Sequence, residues 1–275
     1  MYYGIMTEVC AGSLTDALTA SRFPIDRIEL NCALELGGLT PSLATFEEAR
    51  KSCSAKLICM VRPRPAGFLY NGTEIRTMFL DASAFLEHGA DGIVFGFLNS
   101  NHTVDRMSTQ QMCELVHSHG GEAVFHKAFD LTRNADEAIE VLIESGVDRV
   151  LTSGHQPDVI QGEAELKRLQ EAYGSRIQIL PGGGVTAENA AGFLNASHCT
   201  QLHFSAKSTL QDDGGYCASD SRNIDSILQA VRHRLDVPHM HESLLSGEDL
   251  AMLEEEPYES AMAPVCSDDE EDRHS

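Results

Sequence analysis

Basic residues are scarce in this 275-residue chain, with 20 Lys and Arg against 42 Asp and Glu. No stretch gathers cations into a patch able to hold a phosphodiester backbone, which argues against nucleic acid as a partner. Long apolar runs are missing too. Nothing approaches the length needed to cross a bilayer, and the N-terminus lacks a basic region followed by an apolar one. Met1-Tyr2-Tyr3-Gly4-Ile5 leads straight into the first strand, so a cytoplasmic protein without membrane partners is the default expectation. The eight cysteines (Cys10, Cys32, Cys53, Cys59, Cys113, Cys199, Cys217 and Cys266) include no C-x-x-C spacing. That removes the usual zinc-site signature and suits a reducing compartment, where scattered cysteines serve as small core hydrophobes.

What negative charge there is lies unevenly. Residues 236–275 hold 13 acidic residues and one basic one, a net of −12 against −10 for the other 235 residues. Glu254-Glu255-Glu256-Pro257 and Asp268-Asp269-Glu270-Glu271-Asp272 are blocks that self-repel and bury little, so this tail is expected to be disordered. His239-Met240-His241 within it reads as an incidental cluster rather than a metal site.

Residues 1–235 alternate strand-like apolar runs with helical patterns. Eight strands are expected near Ile5–Cys10, Arg27–Asn31, Leu57–Arg62, Gly92–Gly96, Ala123–His126, Arg149–Ser153, Ile177–Leu180 and Gln201–Ser205. Helix starts are legible as capping boxes at Ser13-Leu14-Thr15-Asp16 and Ser108-Thr109-Gln110-Gln111, and as an N-cap with first-turn proline at Thr40-Pro41. His88-Gly89 and Ser145-Gly146 mark helix ends. Eight such units without a break in composition predict a (β/α)8 TIM barrel, with an open doubly wound sheet as the structural alternative.

Residues two apart on a strand share a face. Ile28 and Leu30 form the apolar face of the second strand, so Arg27, Glu29 and Asn31 point into the barrel. The same division puts Met6, Glu8 and Cys10 inside on the first strand and Ile58, Met60 and Arg62 inside on the third. His126 and His203 fall in register on the fifth and eighth, while Arg64 and Lys127 stand close to the mouth. A barrel filled with apolar side chains would be at least as stable, so a ring of charge at the carboxyl ends of the strands points to a functional site. Glu8, Glu29 and His126 are the candidate general acid/base groups. Arg27, Arg62, Arg64, Lys127, Asp130, His203 and Ser205 are candidate ligand-binding residues, Arg62 and Arg64 by a bidentate grip on a carboxylate or phosphate. His126, Lys127 and Asp130 come from a single stretch at the end of a strand, Val124-Phe125-His126-Lys127-Ala128-Phe129-Asp130.

An anionic ligand is favoured by Pro181-Gly182-Gly183-Gly184-Val185 after the seventh strand and Ser205-Ala206-Lys207-Ser208 after the eighth, where barrels commonly build phosphate sites. The loop from Arg62 to Gly72 is longer than its neighbours and is expected to act as a lid.

Together these segments resemble the CutC copper-homeostasis family. The resemblance rests on Glu8-Val9-Cys10, Asp26-Arg27-Ile28-Glu29-Leu30, Thr40-Pro41-Ser42, Arg62-Pro63-Arg64 and Gly89-Ala90-Asp91-Gly92-Ile93-Val94-Phe95-Gly96. It continues through His126-Lys127-Ala128-Phe129-Asp130, Asp148-Arg149-Val150-Leu151-Thr152-Ser153-Gly154, Pro181-Gly182-Gly183-Gly184 and His203-Phe204-Ser205-Ala206. It runs from about Glu8 to Lys207 and implies a TIM-like barrel, a cytoplasmic location, a role in copper handling with Cu(I) as the ion, and assembly into homo-oligomers. It implies no particular reaction. The family's soft-ligand pattern places one cysteine at Cys10 and a second where this chain has Asn31, leaving Cys32 next door as the remaining partner. Met6 and Met60 are substitutes for it. The mouth departs further: Leu36 and Leu39 flank Gly37-Gly38 where the family has Glu and Thr. Pro65-Ala66-Gly67 stands for Gly-Gly-Asp, and Lys127 for an arginine.

Two functions follow. One is a copper-homeostasis protein binding Cu(I) at the barrel mouth through Cys10 and Cys32. The alternative is a barrel enzyme acting on a small phosphate- or carboxylate-bearing metabolite held by Arg62, Arg64 and Gly182, Gly183 and Gly184. A scaffold acting through its acidic tail is a third option.

Overall fold

The structure, a computed structural model, describes residues 1–208 and 214–234. The tail expected at residues 236–275 lies outside the described residues. Eight strands alternate with eight helices: β1 (Met6–Ala11), α1 (Leu14–Ala20), β2 (Arg27–Leu30), α2 (Leu43–Ser52), β3 (Lys56–Met60), α3 (Gly72–Glu87), β4 (Gly92–Phe95) and α4 (Arg106–Ser118). The second half is β5 (Glu122–Phe125), α5 (Ala135–Glu144), β6 (Arg149–Thr152), α6 (Glu163–Tyr173), β7 (Gln178–Pro181), α7 (Ala187–Ser197), β8 (Gln201–Phe204) and α8 (Ser221–His233).

The strands run parallel in the order β7-β6-β5-β4-β3-β2-β1-β8. β7 and β8 close the circle through a parallel bridge between Gly182 and His203 and a side-chain bond from Gln201 Nε2 to Gln178 Oε1 of 2.8 Å. The fold is therefore the (β/α)8 barrel, and the open-sheet alternative is excluded. No helix among the described residues is long and apolar enough to cross a membrane.

The period-two alternation builds two separate cores. Ile5, Val9, Ile28, Leu30, Leu57, Cys59, Ile93 and Phe125 face outward and join the helices in one large apolar layer. Inside the barrel, Ile58, Met60, Val94 and Val124 form a small apolar cluster of their own, confined to β3, β4 and β5. Register brings the charged positions of the other strands together: Glu8 lies opposite both Arg27 and His203, and Cys10 opposite Glu29.

Helix α1 starts as expected, with Ser13 as N-cap accepting from the Asp16 N–H. Two other starts differ. Helix α4 is capped by Asp105, three residues before Ser108, and the Ser108 hydroxyl bonds the same carboxylate at 2.7 Å. Helix α2 is capped by Ser42, because the Thr40 hydroxyl is taken by the Arg62 N–H at 2.9 Å. Gly89 and Gly146 adopt φ of +90° and +86° just past α3 and α5, the left-handed conformation glycine adopts without a Cβ clash.

Six of the eight strands end earlier than the apolar runs suggested, while β1 and β7 run one residue further. β3 stops at Met60 and β5 at Phe125, so Arg62 and His126 sit on the loops beyond. His126 has left the strand because it opens a 3-10 turn over Lys127–Leu131, its Nδ1 accepting from the Ala128 N–H at 3.1 Å. The loop from Arg62 to Gly72 lies at the mouth. Its Phe68 ring is 4.7 Å from the His126 ring, and its Phe68 carbonyl accepts from the Leu98 N–H.

Candidate functional site

The lower half of the barrel interior is a closed network of charge. Glu8 Oε2 accepts from Arg27 Nε at 2.7 Å, and Arg27 Nη2 donates to Gln201 Oε1 at 2.6 Å. Arg149, as buried as Arg27, pairs with Glu122, donates to Gln178 Oε1 at 3.2 Å and stands 3.9 Å from Glu8. Burial alone would raise the Glu8 pKa, but the hydrogen bond from His203 and the charges of Arg27, His203 and Arg149 outweigh it and hold the carboxylate ionised. Glu8 and Arg27 therefore form the floor beneath the cavity rather than its lining. Arg27, a ligand-binding candidate by sequence, is absent from the cavity lining, and its guanidinium bonds Glu8 and Gln201.

Above this floor a cavity of about 340 Å³ opens at the carboxyl ends of the strands. Cys10, Glu29, Asn31 and His203 line one side, Met60, Arg62, Phe68 and His126 another, and Lys127, Gly182, Gly183, Gly184, Ser205 and Lys207 the rim. That volume is the size of a small metabolite, much larger than one ion.

On the first side, ligand atoms of Cys10, Glu29 and His203 all lie within 4.8 Å of one another. Asn31 Nδ2 ties the group together, donating to Glu29 Oε1 at 2.8 Å and reaching Cys10 Sγ at 3.6 Å. His203 Nδ1 bonds Glu8 Oε1 at 2.9 Å. An ionised carboxylate on Nδ1 fixes the tautomer with its proton there, leaving Nε2 as the free electron pair of the neutral ring. Burial works to lower the His203 pKa, but Glu29 and Glu8 prevail and it is raised. Burial and the Glu8 charge raise the Glu29 pKa against the pull of His203. Burial, with Glu29 and Glu8, pushes the Cys10 thiol well above its ordinary value.

The expected Cys10–Cys32 pair does not form. Strand alternation turns Asn31 toward Cys10, while Cys32 faces away, its thiol donating to Thr40 O at 3.1 Å and its backbone bridging Leu39. Cys32 is not part of the cavity lining.

On the second side, Arg62 donates to the carbonyls of Leu36, Gly38 and Ala66 at 3.1, 2.9 and 2.7 Å, and its guanidinium lies 4.9 Å from the Phe68 ring. Arg62 thus staples two mouth loops, and only its Nε–H lacks a partner. Arg64 does not join it. Its guanidinium pairs with Glu74 at the start of α3, donates to Leu69 O at 2.9 Å, and stacks on Tyr70 outside the cavity. The two-arginine grip expected from Arg62-Pro63-Arg64 is therefore not built.

His126 is fully buried in the wall. Burial, then the Arg62 charge, lowers its pKa to about 3, so the ring is neutral. Lys127 Nζ reaches the rim and donates to Ser153 Oγ at 2.8 Å. Asp130 lies outside this cavity and accepts from the Ser153 N–H, the His155 N–H and the Thr152 hydroxyl, knotting the β5 and β6 loops. Its carboxylate also stands 3.7 Å from Lys127 Nζ. Gly182 spends its N–H on Thr152 O, whereas those of Gly183 and Gly184 take no acceptor among the described residues. A Cβ on Gly183 would stand 3.0 Å from Lys127 Nζ, and one on Gly184 would stand 2.9 Å from the Asp158 Cβ.

Sequence reasoning did not single out Arg149, Gln178, Gln201 or Phe68, and reached Lys207 only within the stretch Ser205-Ala206-Lys207-Ser208. Arg149 and Leu151 are two apart on β6, so the face division applied to that strand would have placed both inside. Gln178 and Gln201 carry no charge to mark them. Phe68 looks like any loop aromatic until its ring is seen on His126 and Arg62.

Fold and site together define a (β/α)8 barrel protein with a cavity at the carboxyl mouth into which several titratable side chains converge. Within that class the chain belongs to the CutC family, whose model matches residues 5–208. It is 42% identical over 202 residues to the family protein CutC of Treponema denticola, covering 74% of this chain and 81% of that protein. It is 36% identical over 237 residues to the human copper homeostasis protein cutC homolog, covering 85% of each. Among solved structures it resembles CutC from Streptococcus agalactiae with a TM-score of 0.68 and 34% identity, over 73% of this chain and 98% of that one. Phosphoribosylanthranilate isomerase from Pyrococcus furiosus, at 13% identity and a TM-score of 0.53, over 83% of this chain and 99% of that one, shares the fold alone.

Proposed function

We propose that this CutC-family protein serves copper homeostasis by binding Cu(I) at the mouth of its barrel, with Cys10 and His203 as ligands and Glu29 beside them. The observation that carries this reading is the convergence of the three ligand atoms within 4.8 Å. Thiolate and imidazole suit a soft monovalent ion, and the carboxylate of Glu8 behind His203 is the outer partner that metal-bound imidazoles generally have. The Cys10 thiol must lose its proton on binding, and Glu29, 3.7 Å away, is placed to receive it. The copper-related name of the human relative supports the same role. All seven cysteines among the described residues are free, which suits the reducing cytoplasm where this role would be exercised. The protein is proposed to act there as a homo-oligomer, without nucleic-acid or membrane partners.

Anaerobic titration with Cu(I) against a chromophoric competitor tests this. Stoichiometric binding is expected in the wild type and in Cys32→Ser, with at least a tenfold loss of affinity in Cys10→Ser and in His203→Gln. Unchanged binding in Cys10→Ser would sink the reading.

A second reading is favoured by the size of the cavity. At about 340 Å³ it has room for a small organic anion. Gly183, Gly184, Ser205, Lys127 and Lys207 at the rim are suited to phosphate or carboxylate oxygens. Glu29 and His203 would then exchange protons with the ligand. Inorganic phosphate or sulfate would raise the melting temperature of the wild type but not of Gly183→Ala.

A further inference from the structure

Four buried polar atoms without a protein partner belong to side chains that line this one cavity: Glu29 Oε2, Asn31 Oδ1, Arg62 Nε and His126 Nε2. Two of the four are donors. Arg62 carries its proton on Nε at any accessible pH. His126 carries its proton on Nε2 because Nδ1 already accepts from the Ala128 N–H. The Nδ1–Cε1 edge of that ring is also pinned against Gly96, where an added Cβ would meet Cε1 at 2.4 Å and Nδ1 at 2.6 Å. The ring can neither turn over nor withdraw, so the Nε2–H is held in one direction. Buried donors are ordinarily satisfied; the Tyr70 hydroxyl lies close enough to Arg62 to share a hydrogen bond with it, but His126 Nε2–H has no protein acceptor, which implies one from outside.

We propose that Arg62 Nε–H and His126 Nε2–H form a subsite for the carboxylate or carbonyl oxygen of a small organic acid, whose phosphate or second acidic group lies in the Gly183–Gly184 rim. This rests on the second reading above, that the cavity takes an organic anion, and adds which end goes where. Phe68 covers the subsite, with its ring 4.7 Å from His126 and 4.9 Å from the Arg62 guanidinium. It is the side chain that moves to admit the oxygen. Because the ring stays uncharged, His126 acts as a hydrogen-bond donor to oxygen rather than as a counter-ion. A neutral imidazole in this position stabilises negative charge developing on a carbonyl oxygen, the requirement for proton removal from an adjacent carbon. Lone carboxylates lacking the second anionic group would bind weakly, since only one end of the cavity would be filled.

Isothermal titration with 2-phosphoglycolate, which carries a carboxylate at one end and a phosphate at the other, tests the assignment against inorganic phosphate alone. The wild type is expected to prefer 2-phosphoglycolate by at least tenfold. His126→Asn is expected to lose that preference while keeping its affinity for phosphate. A variant-free measurement accompanies it: the ¹H–¹⁵N resonance of His126 Nε2–H should move downfield when 2-phosphoglycolate binds and stay put with phosphate. Equal binding of the two ligands, or a His126 resonance that 2-phosphoglycolate leaves unmoved, overturns the subsite while leaving the anion reading standing. Failure of both ligands to bind removes the anion reading and this inference with it.

Discussion

The inside of the barrel is two materials. On β3, β4 and β5 it is filled by Ile58, Met60, Val94 and Val124. On β1, β2, β6, β7 and β8 inward positions hold Glu8, Arg27, Arg149, Gln178, Gln201 and His203, all but Gln178 buried, with Leu151 the apolar neighbour of Arg149 on β6. The two halves share one fold, so barrel geometry by itself did not demand the charge. Replacing a buried ion pair by packed apolar residues is often neutral or stabilising, by about 1–4 kcal/mol, and the cluster of Ile58, Met60, Val94 and Val124 shows the interior filled without one. The charged half is therefore retained for what it does to its upper neighbours: it holds Glu8 ionised against His203 and sets the tautomer that faces the cavity.

That contrast can be broken most forcefully at Arg27. Arg27→Met leaves Glu8 buried without its nearest cation, and a loss of about 3–5 kcal/mol is expected from urea unfolding. The double variant Glu8→Gln with Arg27→Met should recover much of that loss yet abolish ligand binding at His203. If Arg27→Met alone cost under about 1 kcal/mol, the floor would be water-accessible and the contrast between halves would dissolve. On the apolar side, Ile58→Ala should cost about 2–5 kcal/mol by the ordinary cavity penalty, and no second substitution in the charged half should rescue it.

The next effect is in pH. His126 has a pKa near 3 in the folded chain against 6.5 when exposed. Between those values the unfolded chain binds a proton that the folded one refuses. Stability from this group is complete above pH 6.5 and declines as pH falls, by up to about 1.4 kcal/mol per unit. His203 has the opposite sign. Its pKa is raised, so its contribution is complete below the unfolded value and disappears as pH climbs through the folded one. Glu8 is lowered, and its contribution fades only at more acid pH. Urea unfolding between pH 5 and 6.5 thus carries the His126 slope, opposed by Glu29, whose raised pKa makes the folded chain the better proton binder there. His126→Asn should remove the His126 part of that slope.

How far the sequence reached follows from the same physics. Strand count, barrel closure and the inward placement of Glu8, Cys10, Glu29 and His203 all follow from period-two alternation, which is local. What stayed hidden depended on which partner each group chose. Arg62 and Arg64 are two apart in one loop and look equivalent. One is buried against carbonyls of Leu36 and Gly38, and the other is drawn off by Glu74 of the next helix. Cys10 and Cys32 look like a ligand pair until alternation hands the inward place to Asn31. The aspartate at 130 reads as a ligand group from its stretch, but the β6 loop supplies its donors. Caps moved for a similar reason: Thr40 could not serve α2 while bonded to the Arg62 N–H.

Met60 sits on the seam between the two materials, packed with Ile58, Val94 and Val124 yet lining the cavity opposite Cys10. Its thioether is the one soft donor the apolar half offers to the mouth. Met60→Leu keeps volume and apolarity, so the stability change should stay below about 1.5 kcal/mol. If the halves are functionally separate, Cu(I) affinity in the anaerobic titration should remain within threefold of wild type. A tenfold weakening with unchanged stability would move Met60 into the ligand set and shift the boundary between the halves by one side chain. The small size of the expected effect makes this the sharpest placement of that boundary, because the thioether is lost while volume and apolarity are nearly kept.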